Sequence, residues 1–433
     1  MSTIFIANAS LTDARHIGTP HLQIPVIDKA LTWIENVNVD IDHIVLFISA
    51  DDPHNDLPAN ETSVGDLISR YVDNITSSLG PDQIEMVTVE QETANYDSML
   101  AFYSETLQRF DVYDAIYMEV TGGTAAMSFV LLWQGIALFA DKVSPLYISA
   151  DHDTPLSLDI GNALQLEAIL DDYQDLIEIY QYHAALQVLD THAALCKKYW
   201  PHFDAIYAVT KHARQRINFN FEDAESSLRG LKDTLPTQFL GKLQDFIVDL
   251  DERDAAWILR EEIYATDFAI RNGAFKDALT SIITFREGLM RYYVIALDVP
   301  LIDENRVIEP GWLAKKHGLR DHLKHWNIDP KRWLTSKGLD KILEYKAKFN
   351  REIKQVCDKI DQFNKLGNLR NQAVHHHGGV SPAMINDHFP GGINAIVPEM
   401  HDLYRSVTQR PIRADYYDDI NRFILDLITH KTE

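Results

Sequence analysis

The chain has 433 residues, 46 % of them hydrophobic and 24 % charged, and its 64 acidic against 40 basic side chains give a formal net charge of −24. That composition excludes a disordered, collagenous or fibrous coiled-coil chain, and the length allows roughly two to four domains with well-filled cores. The charge at first argues against a nucleic-acid partner, and Cys196 and Cys357 stand in no paired motif, so neither a disulfide framework nor a cysteine-based zinc site is predicted.

The first ten residues, MSTIFIANAS, carry an apolar run at 4–7 that reads as a short strand ending in polar residues 8–12. They lack the basic start and long apolar stretch of a signal peptide, which predicts a cytoplasmic protein. Helical spacing follows at 26–37, then a buried strand at 43–49 (HIVLFIS) that stops at Ala50-Asp51-Asp52-Pro53, then helical spacing again at 64–79. Residues 84–89 read as a strand, 97–110 as a helix, and 115–120 (AIYMEV) as a strand that runs into Thr121-Gly122-Gly123-Thr124. The apolar helix starting at Ala125 is too short to span a bilayer and contains Ser128, Gln134 and Gly135, so no membrane partner is expected. A further strand at 143–149 ends at Ala150-Asp151. Apolar strands alternating with helices predict a parallel sheet covered on its faces, and right-handed crossovers make it a Rossmann-like unit.

After residue 154 the strand signals stop. Residues 160–199 read as long helices, 203–209 are ambiguous between helix and strand, 218–223 read as a turn, and 224–250 are helical again. Helical patterns dominate from 251 onward, with 268–297 as one example. Residues 303–333 are broken by Pro310, Gly311, Gly318 and Pro330. One long helix is predicted over 338–366, with Ile342, Phe349, Ile353, Val356, Ile360 and Phe363 on an apolar stripe and a basic face opposite. The predicted fold class is α/β followed by all-α: a Rossmann-like parallel-sheet domain at 1–154, a helical segment at 155–250 and an all-α domain at 251–433.

The charge is divided unevenly. Residues 1–250 hold 13 Lys and Arg against 37 Asp and Glu, which accounts for the whole net charge, whereas 251–433 hold 27 of each. Between Arg306 and Arg370 there are 16 basic and 8 acidic residues. A basic stretch of that kind can attract a phosphate backbone even in an acidic chain, or it can be a solvated lysine-rich helix face.

Open parallel sheets bind ligands outside the carboxyl ends of their strands. Four such ends are polar here: Asn8-Ala9-Ser10, Ser49-Ala50-Asp51-Asp52, Thr121-Gly122-Gly123-Thr124 and Ser149-Ala150-Asp151. In the third, two glycines remove side chains where strand turns into helix, and N–H groups at the helix start are expected to favour an anionic group such as a phosphate. It is neither a Walker A loop nor Gly-x-Gly-x-x-Gly, and an ordinary tight strand–helix turn explains the residues equally well.

Near the end of the basic stretch stands Asn368-Leu369-Arg370-Asn371-Gln372-Ala373-Val374-His375-His376-His377-Gly378-Gly379. Three consecutive histidines on a helix point about 100° apart, whereas helical zinc motifs place their ligands four apart, so no metal site is predicted. Covalent catalysis lacks a nucleophile beside the histidines, and nothing here resembles a helix-turn-helix for reading DNA. Metal-free RNA cleavage fits the residue types. A histidine moves protons near neutral pH, an arginine offsets charge building on phosphorus, and RNA brings its own 2′-OH nucleophile. A plain helix C-terminus, with histidines favoured by the dipole and Gly378 as the residue after the cap, accounts for the same residues. On a straight helix, positions 370 and 375 lie about 140° apart, so either the helix ends early or a second copy of the chain completes the site.

Arg370-Asn371-x-x-x-His375 resembles the Arg-x4–6-His motif of HEPN ribonucleases, and Val120-Thr121-Gly122-Gly123-Thr124-x-x-Met127 resembles the corresponding loop of CARF sensor domains. A CARF-like domain, a helical middle and a HEPN-like domain, in that order, resemble the ancillary ribonucleases of type III CRISPR systems over essentially the whole chain. The resemblance implies a homodimer whose sensor domains bind cyclic oligoadenylate, the six-membered ring in preference to the four-membered, as an allosteric activator rather than a cofactor. It implies HEPN domains that cut single-stranded RNA without metal, leaving a 2′,3′-cyclic phosphate, and that form no stable DNA complex. Carried onto this sequence, Arg370 and His375 are the catalytic pair, supported by Asn371. Asn8, Ser10, Ser49, Thr121, Gly122, Gly123 and Thr124 are the activator-binding residues. Some members also degrade their activator slowly, which would involve Thr121 or Thr124. One departure is Ala125, where many such loops carry Lys; His376 and His377 are further candidates for the proton carrier. Two rivals stand beside this reading. One is a nucleotide-sensing module with a catalytically silent helical platform for RNA or a partner. The other is a small-molecule α/β enzyme with a helical dimerisation domain.

Overall fold

The computed structural model describes residues 2–9, 25–49, 79, 81–139, 142–149, 152, 154–302, 307–329, 332–375, 379–413 and 415–430. Ser10, Ala50–Pro53, His376 and His377, and the predicted helix at 64–79 apart from its last residue, lie outside them. The chain forms two compact units, Met1–Leu170 and Asp171–Glu433.

In the first unit, five parallel strands, β1 (Thr3–Ala9), β2 (His43–Ser49), β3 (Ile84–Val89), β4 (Ala115–Glu119) and β5 (Val143–Tyr147), are joined by a short antiparallel β6 (Leu156–Ser157). Their order is β3-β2-β1-β4-β5-β6. The helices are α1 (Pro25–Asn36), α2 (Tyr96–Thr106) and α3 (Ala125–Phe139). The period-2 alternation of the strands sends Ile4, Ile6, Val45, Phe47, Ile116 and Met118 to one face, under α2 and α3. Phe5, Ala7, Leu46 and Ile48 go to the other, under α1 with its Ile27, Ala30 and Ile34. Strands buried on both faces are the reason these runs are nearly continuous in apolar residues. The Rossmann-like reading of this part is the fold observed. The order reverses between β1 and β4, and this switch point is where an open parallel sheet opens a crevice.

The chain passes into the second unit within α4 (Ile160–Glu178). There follow α5 (Tyr182–Thr191), α6 (Ala193–Tyr199), α7 (Phe203–Ile217), α8 (Phe221–Arg229), α9 (Thr237–Asp251), α10 (Ala255–Arg271) and α11 (Phe275–Ala296). A two-residue hairpin, β7 (Leu301–Ile302) and β8 (Val307–Ile308), precedes α12 (Pro310–Ala314), α13 (His317–His325), α14 (Ser336–Ala347), α15 (Arg351–Gln362) and α16 (Asn364–His375). The unit ends with α17 (Pro382–His388), α18 (Ile393–Thr408) and α19 (Tyr416–Thr429). The ambiguous residues 203–209 are thus helical. The run 268–297 is two helices, because the chain turns at Gly273 with φ +69°.

The long helix expected over 338–366 is instead divided among α14, α15 and α16. Asn350 takes extended backbone and its Oδ1 accepts from the amides of Glu352 (2.8 Å) and Ile353 (3.3 Å), so it starts a new helix rather than continuing the old one. Phe349, expected on the apolar stripe, lies in the break and is 75 % exposed. The rest of the stripe still reaches the core: Ile342 of α14, Ile360 of α15, and Phe363, Leu366 and Leu369 join Leu259, Ile263, Ile282 and Phe285 of the α10–α11 pair.

The last helix returns to residues 171–250. The Tyr182 hydroxyl donates to Asn421 Oδ1 (2.7 Å), and Asn421 Nδ2 donates to the Ile177 carbonyl (2.7 Å). Fully buried Arg216 of α7 donates to Glu261 of α10 (2.8 and 2.7 Å) and to Asp249 of α9 (2.7 Å), with its guanidinium 3.8 Å from the Tyr416 ring centre. Burial alone would raise the Asp249 carboxyl; Arg216 and Arg260 beside it hold it below the usual range. Four helices therefore meet on one paired charge cluster.

Candidate functional site

At the switch point, the carboxyl ends of β1 and β4 lie side by side. Asn8 is fully buried in β1; Tyr103 of α2 donates its hydroxyl to Asn8 Oδ1 at 2.6 Å, and Asn8 Nδ2 has no hydrogen-bond partner. A buried amide donor without an acceptor is costly, and the group marks this junction as incompletely satisfied. Gly122 presses against this strand: a Cβ there would stand 2.3 Å from the Asn8 carbonyl oxygen. Gly123 adopts φ +85°, a left-handed conformation that glycine takes at no steric cost. Both glycines of the turn are thus required by geometry.

The amides expected to cradle an anion are partly used within the turn. Glu119, fully buried at the end of β4, accepts from Thr121 N (2.6 Å) and Gly122 N (3.1 Å). A carboxylate under the turn disfavours a phosphate at these two donors, and this corrects the anion-cradle expectation for them. Thr121 Oγ1 accepts from Ile148 N at 2.7 Å. Thr124 Oγ1 donates to the Thr93 carbonyl and accepts from Met127 N (3.2 Å), so Thr124 caps α3. Ser49 closes β2, the neighbour of β1 on the side away from β4, and is half-buried. The structure therefore brings Asn8, Thr121, Gly122 and Gly123 together at one strand–helix junction, with Thr124 beside them as the cap of α3. Glu119 and Tyr103 were missed in the sequence. The only signal was an acid at the last position of an otherwise apolar strand.

In the second unit, Leu366 and Leu369 bury one face of α16 and leave Asn371 exposed and Arg370 half-buried. Arg370 Nη1 donates to Asn371 Oδ1 at 3.3 Å, and its buried Nε has no partner. The helix continues without a break to His375, so the early end considered from the sequence does not occur. Positions 370 and 375 stay about 140° apart around one axis and roughly 7.5 Å along it. One copy of α16 does not close a site around a single phosphate. Among the described residues, no group of three or more His, Cys, Asp or Glu stands ready to hold a metal ion, and no helix is long and apolar enough to cross a membrane.

No protein-family model matches the sequence, and no curated protein does. The fold has a solved counterpart. Csm6 of Enterococcus italicus bound to cyclic hexa-2'-fluoro-hexa-dAMP superposes with a TM-score of 0.71 at 14 % identity, covering 99 % of this chain and 100 % of the other. This chain has the Csm6 fold. The α/β-then-helical layout expected from the sequence is the fold observed, and the match runs over nearly the whole of both chains.

Proposed function

We propose that this chain is a CARF–HEPN ribonuclease of type III CRISPR defence, switched on by cyclic oligoadenylate. The observation that carries the reading is the end-to-end fold shared with a protein whose structure holds a cyclic hexa-adenylate analogue. It is supported independently by the Arg370–Asn371 contact on α16 and by the unmet Asn8 amide at the switch point.

In this reading residues 1–154 sense, 155–250 transmit and 251–433 cut. The sensor crevice offers the Thr121 hydroxyl and a close glycine backbone over a buried carboxylate, with the unmet Asn8 amide enclosed beneath, a surface suited to adenine and ribose edges rather than to phosphate. Asn8, Ser10, Ser49, Thr121, Gly122, Gly123 and Thr124 are its proposed contacts, with the six-membered ring preferred, and Thr121 is the hydroxyl we assign to any slow degradation of that ring.

The working form is a homodimer. Tyr96, Leu100, Phe129 and Trp133 expose a contiguous aromatic and aliphatic face on α2 and α3, the type of patch that a second copy covers. Two copies of α16 set face to face bring the arginine of each chain near the histidine of the other, which the spacing within one helix does not achieve. The His375 imidazole takes the 2′-OH proton, the 2′ oxygen attacks the adjacent phosphorus, and Arg370 neutralises the charge that builds on the phosphoryl oxygens. The 5′-oxygen leaves with a proton given back by the imidazolium, and the product ends in a 2′,3′-cyclic phosphate. Because RNA supplies the nucleophile, no metal is required, and DNA is not cut.

A fluorescent single-stranded RNA reporter tests this in the presence of EDTA. Cleavage on addition of cyclic hexa-adenylate, lost in both Arg370→Ala and His375→Ala, is expected. Undiminished cleavage by the double variant removes the site assignment.

A further inference from the structure

The basic stretch that precedes α16 forms a built surface. Residues 315–354 hold 12 Lys and Arg against 5 Asp and Glu, together with His317, His322 and His325. The apolar side of α13 and α14 is buried through Leu319, Leu323, Leu339, Ile342 and Leu343, which leaves Arg320, Lys324, Lys337 and Lys348 exposed and Lys341 half-buried at the edge. Four of the five acids already face a cation: Asp340 accepts from nearly buried Arg286 at 2.7 Å, Glu344 pairs with Lys341, Asp329 lies 3.5 Å from Arg332, and Asp321 lies 3.9 Å from Arg320.

Among the described residues of 307–375, the large apolar side chains left exposed are Trp326, Trp333 and Phe349, all aromatic. An interface that buries protein would draw on exposed aliphatic side chains as well, as the α2–α3 face of the first unit does with Leu100. Here the aromatics are interleaved with cations. Lys341 Nζ stands 3.7 Å from the Trp326 ring centre. Phe349 leans edge-on against Tyr345, with ring centres 5.3 Å apart, and Tyr345 stands 5.6 Å from the His322 ring. Lys348 Nζ lies 3.4 Å from His322 Nδ1. Flat aromatic faces accept bases of any sequence, and lysines and arginines around them follow the backbone, which is how single-stranded nucleic acid is held without base reading.

We propose that the face built by α13, α14 and the loop after α14 is a docking platform for single-stranded RNA. Trp326 and Phe349 stack bases, and Arg320, Lys324, Lys341 and Lys348 contact phosphates. The proposal rests on the ribonuclease reading for its choice of RNA as the partner, and it places the holding of substrate away from the Arg370–His375 helix positions that cut it. Phe349 is held in the open because Asn350 starts α15 there, so the break that the helix pattern did not foretell is what presents the ring.

The test measures binding separately from cutting. A fluorescein-labelled 20-nucleotide 2′-fluoro RNA, which lacks the 2′-OH nucleophile, is titrated into the full-length chain and read by anisotropy across a salt series. Phe349→Ala with Trp326→Ala is expected to weaken binding about tenfold or more, with the salt slope unchanged. Lys341→Ala with Lys348→Ala is expected to lower the slope of log affinity against log salt by about 1.4, roughly 0.7 for each lysine–phosphate pair removed. Cleavage of ordinary RNA is followed in parallel. Patch-dependent binding without cleavage leaves the platform standing and removes the ribonuclease reading. Cleavage with binding indifferent to all four substitutions removes the platform and leaves the ribonuclease reading. A change of sedimentation in the aromatic variant with unchanged RNA affinity makes the face a contact between copies and overturns the proposal.

Discussion

Arg370 gives up little when it is removed from the fold, since its buried Nε has no partner and its Nη1 contact with Asn371 is long at 3.3 Å. Arg370→Ala should therefore leave the melting temperature nearly unchanged while lowering RNA cleavage by about 10²–10³-fold, the usual loss of a transition-state charge stabiliser. Retained activity in a folded variant would move the site elsewhere. Glu262 carries a stability prediction of the opposite kind. It is almost buried on α10, and burial pushes its carboxyl up to about 7 against a weaker lowering by Ser281. Between the ordinary carboxylate range and pH 7 the folded chain keeps a proton that the unfolded chain releases. This group thus stabilises at low pH, and its contribution is lost as pH rises through 7. Glu262→Gln, which is neutral throughout, should be more stable relative to the native chain at pH 8 than at pH 5, by about 2 kcal/mol. Urea unfolding at the two pH values checks it; an equal difference at both would show the carboxyl to be charged in the fold.

At the scale of elements, Gly122→Ala puts a methyl group 2.3 Å from the Asn8 carbonyl oxygen, and backbone yields poorly there. The β1–β4 junction must part, so the response to activator should fall sharply while RNA binding through the second unit persists. Isothermal titration with cyclic hexa-adenylate reads the first, and anisotropy the second. Asn350→Ala removes a cap and should cost about 1 kcal/mol in thermal unfolding.

The strands of the first unit were legible because buried parallel strands are apolar without interruption. Residues 43–49 were bounded correctly for that reason; 84–89 (IEMVTV) is an edge strand with only Val89 buried, and its apolar and β-branched residues between polar neighbours marked it instead. The break at 348–350 was not legible, because the apolar spacing of Ile342, Ile353 and Ile360 continues across it; what decides it is a side-chain acceptor, Asn350, that any polar position on a helix surface could also have held. Arg370 stands in a motif that the sequence displays, on a helix that the fold keeps unbroken. The role of Glu119 was not, since its use depends on amides that only the folded turn brings to it.

For the molecule as a whole, the buried cluster of Arg216, Asp249, Glu261 and Arg260 ties the helices of 171–250 to those after 251. Arg216→Ala leaves two carboxylates buried with part of their pairing gone, and a loss of about 3–5 kcal/mol is expected. Thermal unfolding checks it, and an unchanged melting temperature would contradict it. The most direct test of the central claim is the rate of single-stranded RNA cleavage by the native chain in EDTA, with and without cyclic hexa-adenylate, beside Arg370→Ala. Cleavage that rises strongly with the cyclic nucleotide and is absent from the variant is expected. Cleavage that ignores the nucleotide, or that persists without the guanidinium, would contradict it.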